Sequence, residues 1–246
     1  MRLLLGSGGF RTPERVVAWS EAVRPFLGGI RRVVFVPYAL ADHEGYLRTL
    51  TERGLNAGYE LDGLHRHADP RRAVRDAEAV LVGGGNTFRL LAALYRLDLL
   101  DVIRERVTSG VPYLGISAGT NVAGPTIRTT NDMPIVEPPS LTALGLVSFQ
   151  INPHYFHGVT VIRVGEALVE HFGETRDERI REFHEENDTP VLGLWEAGIL
   201  RVEDGTVTLL GAQARLFRRG RDPLDLSPVA DLTTLLPGGP NESTDR

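Results

Sequence analysis

Short apolar runs alternate with amphipathic segments through the first half of the chain. Four runs are brief, rich in β-branched residues and bounded by Gly or Pro, as is typical of buried strands, and they lie at 2–5, 32–36, 79–82 and 112–116. Between them, residues with helix-capping preference precede apolar positions at helical spacing, which predicts helices beginning near Thr12, Asp42, Asp69 and Asn86. This alternation predicts an α/β fold with a mainly parallel sheet flanked by helices on both faces.

The second half of the chain has a different pattern. A strand is predicted at 144–151 and a helix from Glu174 to about Glu186. Four short apolar runs then follow closely, and we expect them to form antiparallel edge strands near the C-terminus, at 190–195, 198–203, 206–210 and 214–218.

Nothing in the sequence divides the chain into separate domains. It contains no internal repeat and no linker rich in Pro and Gly, so we expect one α/β domain over residues 1–237. The polar segment 238–246 has no apolar anchor, and we expect it to be a disordered tail.

Composition and charge narrow the classes of protein. The 27 Lys and Arg against 32 Asp and Glu give a net charge of −5, and the basic residues are scattered, so no nucleic-acid partner is expected. The absence of Cys excludes disulfides, thiolate metal sites and a Cys nucleophile. No apolar run is long enough to span a bilayer, and the apolar run at the N-terminus is too short for a signal peptide. We therefore expect a cytoplasmic protein without a membrane partner. The His residues lack metal-ligand spacing, and no metal is expected.

The segment Gly115-Ile-Ser117-Ala-Gly119 carries the strongest chemical signal. It follows a predicted strand and precedes a run of small residues, so the G-x-S-x-G pattern has the context of a nucleophile elbow. Ser117 is then a candidate nucleophile, and the backbone N–H of Ala118 would face a developing oxyanion. The alternative is a Gly-rich turn in which the Ser merely caps a helix.

The loop Gly83-Gly84-Gly85-Asn86 is a second candidate site. It ends another predicted strand, at the edge where α/β sheets bind their ligands. Its amides lie next to a predicted helix N-terminus and can hold an anion or supply a second oxyanion donor. It matches neither a Walker loop nor G-x-G-x-x-G, and a structural turn is the alternative.

A serine nucleophile needs a base, and the base needs an acid that orients it. His154 is the best-placed His, because it directly follows the strand predicted at 144–151 and Pro153 fixes its approach. Asp132 and Glu196 are both candidates for the orienting acid, and the residues alone leave that choice open.

Four blocks of sequence occur together and in order: Gly83–Phe88, Gly115–Val136, Asn152–His154 and Gly173–Arg176. From residue 3 to about residue 218 the chain closely resembles the peptidase E family, the α-aspartyl dipeptidases. The resemblance implies a serine peptidase on a fold similar to the class I glutamine amidotransferases. It further implies hydrolysis of dipeptides with an N-terminal aspartate, through an acyl-enzyme and without a cofactor.

By position, the resemblance assigns Ser117 as nucleophile and His154 as general base. It assigns the oxyanion amides to Gly85 and Ala118. Asp132 and Glu196 both fall on family positions that could complete the triad. We prefer Glu196 as the residue that touches His154, with Asp132 near the substrate or in the same network.

Recognition of an aspartate side chain favours a planar guanidinium. Arg176 matches the family position expected to meet that carboxylate, and Arg128 is a second candidate for the same task. Asn86 is expected to contribute to substrate binding from its loop. The alternative for Arg176 is an ordinary surface ion pair with a neighbouring acid, namely Glu174, Asp177 or Glu178.

The segment 155–172 departs from the family, because it is longer and more apolar than the corresponding loop. We expect it to close over the pocket, to mediate a homodimer contact, or to open the site to longer peptides. A cyanophycinase-like peptidase acting on branched Asp-Arg polymer is therefore an alternative function. A generic esterase and a non-catalytic binder of small acidic ligands are two further alternatives.

Overall fold

A seven-stranded sheet forms the centre of the computed structural model, which describes residues 1–236. Across the sheet the strands run β11-β10-β1-β5-β4-β2-β3. The first five strands in the chain are mutually parallel, whereas β10 and β11 add an antiparallel edge beside β1. The strands are β1 (Arg2–Gly6), β2 (Arg32–Val36), β3 (Glu60–Gly63), β4 (Val80–Val82), β5 (Tyr113–Ile116), β10 (Ile199–Glu203) and β11 (Thr206–Leu210).

A second sheet of four strands runs in the order β13-β12-β9-β6. Its strands are β6 (Gln150–Tyr155), β9 (Val191–Trp195), β12 (Ala214–Phe217) and β13 (Leu224–Leu226). Antiparallel edge strands near the C-terminus are present as predicted, but the four runs are divided between the two sheets. The free edge of β1 accepts β10, followed by β11, while β9 pairs in parallel with β6 and antiparallel with β12.

The strand predicted at 144–151 is displaced toward the C-terminus, because β6 begins only at Gln150. The apolar side chains before it are buried, but their backbone lies against the loop that follows Ser117 rather than against another strand. Leu144 N–H donates to the carbonyl of Val122 at 2.9 Å, and Leu146 N–H donates to that of Ala123 at 2.9 Å. The apolar run therefore indicates a buried segment, which in this chain is irregular and not a strand.

Helices cover both faces of the large sheet. Alternate residues along each strand face opposite sides, so Leu4 belongs to one core cluster and Leu3 and Leu5 to the other. One face packs against α1 (Pro13–Leu27) and α2 (His43–Glu52). The other packs against α3 (Pro70–Arg75), α4 (Thr87–Arg96), α5 (Leu99–Thr108) and α6 (Ala118–Asn121). The predicted mainly parallel sheet between helices is confirmed.

The helix starts follow from side-chain capping. Thr12, Asp42, Asp69 and Asn86 each accept a hydrogen bond from the backbone N–H three residues further on, as their sequence pattern predicts. The last helix, α7 (Arg176–Glu186), begins with a capping box and packs Ile180 against the second sheet. Among the helices of residues 1–236, none is long and apolar enough to cross a membrane.

A β-hairpin joins β6 to α7 and consists of β7 (Thr160–Val164) and β8 (Ala167–His171). Every residue of the two strands is exposed. The hairpin is therefore an arm that stands away from both sheets.

One core cluster holds the domain together. It contains Leu3 of the large sheet together with Ile151, Leu192 and Leu216 of the second sheet, and we propose that the chain forms a single domain. The tail predicted at 238–246 lies outside the described residues.

Candidate active site

Ser117 lies on the sharp turn between β5 and α6. Its φ of +55° and ψ of −108° are a strained conformation for a residue with a side chain. Its hydroxyl makes no cap hydrogen bond to the helix, so the alternative of a helix-capping Ser finds no support. Close packing explains the following glycine, since a Cβ at Gly119 would lie 2.0 Å from the carbonyl oxygen of Val82. Only glycine lets α6 approach β4 this closely.

Ser117, His154 and Glu196 form a continuous series of hydrogen bonds. Ser117 Oγ lies 2.7 Å from His154 Nε2, and His154 Nδ1 lies 2.7 Å from Glu196 Oε1. His154 lies at an irregularity near the end of β6 and has a φ of +56°. Glu196 directly follows β9, and these two strands are parallel neighbours, so their carboxyl ends bring the two side chains together. In this arrangement the hydroxyl can donate to Nε2 while Nδ1–H donates to the carboxylate.

Asp132 does not contact His154 but lies at the N-terminus of α4. Its Oδ2 accepts hydrogen bonds from Thr87 N–H at 2.7 Å, from Thr87 Oγ1 at 2.6 Å and from Thr130 Oγ1 at 3.2 Å. Asp132 nevertheless lines the cavities next to Ser117. Of the two acids that the sequence left open, Glu196 is thus the one beside the imidazole.

The Gly83–Gly85 loop lies against Ser117. A Cβ built on Gly84 would be 2.9 Å from Ser117 Cβ, which places the loop backbone beside the candidate nucleophile. The Gly84 N–H donates to Tyr46 Oη at 2.7 Å, and burial raises the pKa of this phenol to about 12. The amides of Gly85 and Ala118 make no hydrogen bond to another group within residues 1–236, so both are available to an oxyanion.

Two of the predicted substrate-binding residues are placed less favourably. Asn86 caps α4 by accepting from Arg89 N–H at 3.0 Å, and its Nδ2 donates to the carbonyl of Met133 at 2.9 Å. Both ends of its amide are therefore engaged within the protein. Arg128 is exposed and lines neither of the cavities at Ser117.

Arg176 is the first residue of α7 and is half-buried. Its Nε is buried and has no hydrogen-bond partner within the described part of the chain, while its guanidinium stacks 5.6 Å from the ring centre of Phe156. Burial and the charge of Arg179 lower the pKa of Arg176, and the charge of Asp132 opposes that shift. Arg176, like Arg128, lines neither of the cavities at Ser117, and its link to the site is its electrostatic interaction with Asp132.

The acids proposed as surface partners of Arg176 have other contacts. Glu174 pairs with Arg179 at 3.3 Å. Glu178 forms the capping box of α7 with Thr175, which directly precedes the helix. Asp177 pairs with Arg215 at 3.0 Å. The surface-pair alternative therefore has no support in the geometry.

Sequence reasoning missed the loop after β1, which contacts both His154 and Glu196. Ser7 is fully buried, and its Oγ accepts from His154 N–H at 2.8 Å and donates to the carbonyl of Leu194 at 2.8 Å. A Cβ at Gly8 would lie 2.5 Å from His154 Cε1, and one at Gly9 would lie 1.7 Å from Glu196 Oε2. The sequence signal for this loop is the run of small residues that directly follows β1.

Fold and site together define a class of protein. A strained serine on a strand–helix turn, an imidazole, a carboxylate and two unused amides at the carboxyl edge of an α/β sheet make up a hydrolase site with a serine nucleophile.

Comparison with known proteins identifies the family. The chain belongs to peptidase family S51, whose family model matches residues 2–210, and it is a serine-type peptidase. It is 52% identical over 220 residues to peptidase E of Streptomyces coelicolor, covering 88% of this chain and 86% of that protein. It is 49% identical over 209 residues to the probable alpha-aspartyl dipeptidase of Drosophila melanogaster, covering 84% of each.

Solved structures support the fold. The crystal structure of a peptidase from an acI-B1 Actinobacterium matches with a TM-score of 0.65 at 17% identity, covering 94% of this chain and 95% of that one.

Proposed function

We propose that this chain is an exopeptidase that removes an N-terminal aspartate from small peptides through an acyl-enzyme on Ser117. The observation that carries the proposal is the series from Ser117 through His154 to Glu196, with both distances at 2.7 Å. Two relatives with about half their residues identical are named as peptidase E and as an alpha-aspartyl dipeptidase, which supports aspartate as the released residue.

The geometry suits acyl transfer. Ser117 Oγ attacks the carbonyl carbon of the aspartyl residue while its proton passes to His154 Nε2. The resulting oxyanion accepts hydrogen bonds from the amides of Gly85 and Ala118. His154 then gives the proton to the leaving amine, the C–N bond breaks, and the same imidazole activates the water that hydrolyses the ester. Glu196 holds Nδ1–H throughout and stabilises the imidazolium.

Arg176 and Asp132 carry opposite charges, which supports selection of aspartate. An N-terminal aspartate carries a positive α-ammonium and a negative side chain a few bonds apart. Arg176 Nε has no hydrogen-bond partner within residues 1–236, and Asp132 lines the cavities at Ser117, so we assign the carboxylate to the first and the ammonium to the second. The influence of Asp132 on the pKa of Arg176 is consistent with the two groups facing one substrate residue.

Hydrolysis of Asp-Ala, Asn-Ala and Ala-Ala by the wild type, Ser117→Ala and Arg176→Met tests this proposal. We expect the wild type to cleave Asp-Ala and Ser117→Ala to lose more than about a thousandfold in kcat. Arg176→Met should lower the Asp-to-Asn ratio of kcat/KM by about 10- to 100-fold, since it removes a charge-assisted hydrogen bond. Arg179→Met is the matched control, because Arg179 lies one turn later in α7, is more exposed to solvent and pairs with Glu174 at 3.3 Å. Unchanged Asp-Ala cleavage by Ser117→Ala would contradict the nucleophile, and an unchanged ratio in Arg176→Met would contradict the carboxylate site.

We also propose that the hairpin mediates a homodimer. Its side chains include Val161, Leu168 and Phe172, which are 55%, 68% and 94% exposed. An isolated two-stranded hairpin is at best marginally stable in water. Together with Phe156 and the other exposed apolar residues of the hairpin, these side chains expose on the order of 700 Å² per chain when both faces of the hairpin are summed, which is the scale of the ~800 Å² that each partner buries in a standard interface. A second copy of the chain is the occupant that this area fits.

Light scattering after size exclusion tests the homodimer. The molar mass measured for the wild type should be twice the 27.0 kDa of one chain, and that of Leu168→Glu/Phe172→Glu should equal one chain. Val17→Glu changes an apolar residue of α1 that is 54% exposed, and as a control it should remain dimeric. A monomeric wild type would contradict the proposal.

The cytoplasmic location and the lack of a nucleic-acid partner stay predictions of the sequence.

A further inference from the structure

A largely buried acid directly follows Arg176, the residue to which we assign the substrate carboxylate. Asp177 is the second residue of α7, and its side chain is 15% exposed. A free carboxylate at this position would attract the guanidinium of Arg176 and repel the side chain of an aspartyl substrate. Selection of aspartate by Arg176 therefore requires that Asp177 be neutralised by another group.

Both carboxylate oxygens of Asp177 are engaged by residues of the second sheet. Tyr155 Oη donates to Oδ1 at 2.5 Å, and Arg215 Nη1 donates to Oδ2 at 3.0 Å. Burial and the hydrogen bond to Asp177 raise the pKa of the Tyr155 phenol, which therefore retains the proton that it donates. Tyr155 is 1% exposed and the side chain of Arg215 is 12% exposed, so solvent screens these contacts little.

Arg215 is itself fixed in the position from which it contacts Asp177. Its Nε and Nη2 donate to the two carboxylate oxygens of Asp225 at 2.6 and 2.8 Å, which leaves Nη1 for Asp177. Nη1 also lies 2.6 Å from His157 Nδ1. The hydrogen bonds to Asp225 raise the pKa of Arg215, so its positive charge is permanent. Because Asp225 is 69% exposed, Asp177 is the buried acid of the group.

The guanidinium of Arg176 is held apart from this group. It stacks 5.6 Å from the ring centre of Phe156, the residue after Tyr155, while its Nε has no hydrogen-bond partner within residues 1–236. The charges that act on the pKa of Arg176 are those of Arg179 and Asp132. Asp177, although next in sequence, is therefore occupied elsewhere.

We propose that Arg215 is a positioning residue for substrate selection, which neutralises Asp177 together with Tyr155 and so leaves Arg176 free to bind an aspartate side chain. The inference rests on the proposed cleavage after an N-terminal aspartate. Arg215 lines neither of the cavities at Ser117, so it acts through Asp177 and not on the substrate itself.

Three variants separate neutralisation of Asp177 from a purely structural role. Arg215→Met should lower the Asp-Ala to Asn-Ala ratio of kcat/KM by about tenfold, mainly through KM for Asp-Ala, because an uncompensated carboxylate remains beside Arg176. Asp177→Asn removes that carboxylate and should keep the ratio within about threefold of the wild type. The double variant Arg215→Met/Asp177→Asn should regain most of the ratio that Arg215→Met loses.

Arg219→Met is the matched control for Arg215→Met. Arg219 lies in the segment that follows β12 and pairs with Asp188 at 3.0 Å, just beyond the C-terminal end of α7. Its substitution removes an arginine and breaks an ion pair but leaves Asp177 neutralised, so the wild-type ratio should be retained. Circular dichroism confirms that each variant is folded.

A tyrosine pair tests the other contact of Asp177. Tyr155→Phe removes only the hydroxyl that donates to Oδ1 and should lower the ratio by about two- to fivefold. Tyr95→Phe removes a hydroxyl that donates to the carbonyl of Thr142 at 2.9 Å, and as a control it should leave the ratio unchanged.

The results that overturn the proposal differ from those that refute the proposed function. A folded Arg215→Met that keeps the wild-type ratio overturns the positioning role. So does a loss in Arg215→Met that Asp177→Asn does not restore, since a purely structural role predicts this result. Should Arg215→Met fail to fold, an unchanged ratio in Tyr155→Phe overturns the proposal. A wild type that cleaves no Asp-led dipeptide refutes the proposed function itself.

Discussion

The substitution Gly9→Ala tests how Glu196 is held beside His154. A Cβ on Gly9 would lie 1.7 Å from Glu196 Oε2 and 2.6 Å from its Cδ, while real Cβ contacts essentially never fall below 3.0 Å. The carboxylate must therefore retreat by about 1.3 Å or rotate. Since Oε1 of the same carboxylate lies 2.7 Å from His154 Nδ1, this displacement stretches or breaks the hydrogen bond that orients the base.

The size of the effect follows from the role of the acid. Removing the orienting function of the acid in the chymotrypsin triad lowers kcat about 10⁴-fold, which is the upper limit for a displaced carboxylate. For Gly9→Ala we expect kcat to fall by about 10²- to 10⁴-fold, with a smaller change in KM. Because the φ at this position is +71°, an alanine there is strained in the folded state, which should lower the free energy of unfolding by about 1–2 kcal/mol.

The assay measures kcat and KM for Asp-Ala together with urea unfolding. Gly54→Ala is the matched control, because its φ of +72° imposes a similar backbone cost while the nearest atom to its Cβ is Val16 Cγ1 at an ordinary 3.8 Å. Gly54→Ala should lose stability but keep its kcat. If folded Gly9→Ala retains a kcat within about threefold of the wild type, or if both variants lose activity equally, the reasoning is refuted.

Three further predictions concern the groups around the site. Ser7→Ala should lower the free energy of unfolding by about 1–3 kcal/mol in urea titrations, and also lower kcat, because the buried His154 N–H loses its acceptor; unchanged stability would contradict this. Tyr46→Phe should reduce kcat several-fold in steady-state assays by freeing the Gly84 amide beside the oxyanion loop, and an unaltered kcat would count against it. Asp132→Asn should raise KM for Asp-Ala more than it lowers kcat, whereas a kcat-only effect would assign it to the base instead.

The elements that depend on local pattern could be predicted from the sequence. Strand runs bounded by Gly or Pro and helix starts at capping residues are short-range signals, and β1, β2, β4 and β5 follow from them. The division of the C-terminal runs between two sheets could not be predicted from the sequence, because the partner of a strand depends on which sheet edge is free. Residues 144–149 show the same limit, since a core position filled by a loop is as apolar as a strand.

The site divides in the same way. Ser117 has a local signature, because a tight strand–helix turn demands small neighbours. Choosing Glu196 over Asp132 requires knowing that β6 and β9 are neighbours, a contact between segments about 40 residues apart that no spacing rule reveals. Ser7 and Gly9 carry no chemical signature at all, since their contribution is a buried hydroxyl and the absence of a Cβ.

The candidate catalytic groups are supplied by two different sheets. The candidate nucleophile and the candidate oxyanion loop follow β5 and β4 of the large sheet, whereas His154 lies near the end of β6 and Glu196 follows β9 of the second. The loop after β1 joins the halves, because Ser7 bonds to His154 and Leu194, and Ala197 N–H donates to the carbonyl of Gly8 at 2.9 Å. The 2.7 Å contact between Ser117 and His154 therefore depends on how the two sheets dock. Ser7 and the two glycines after it lie between the sheets, and we expect them to maintain this geometry by positioning His154 and Glu196.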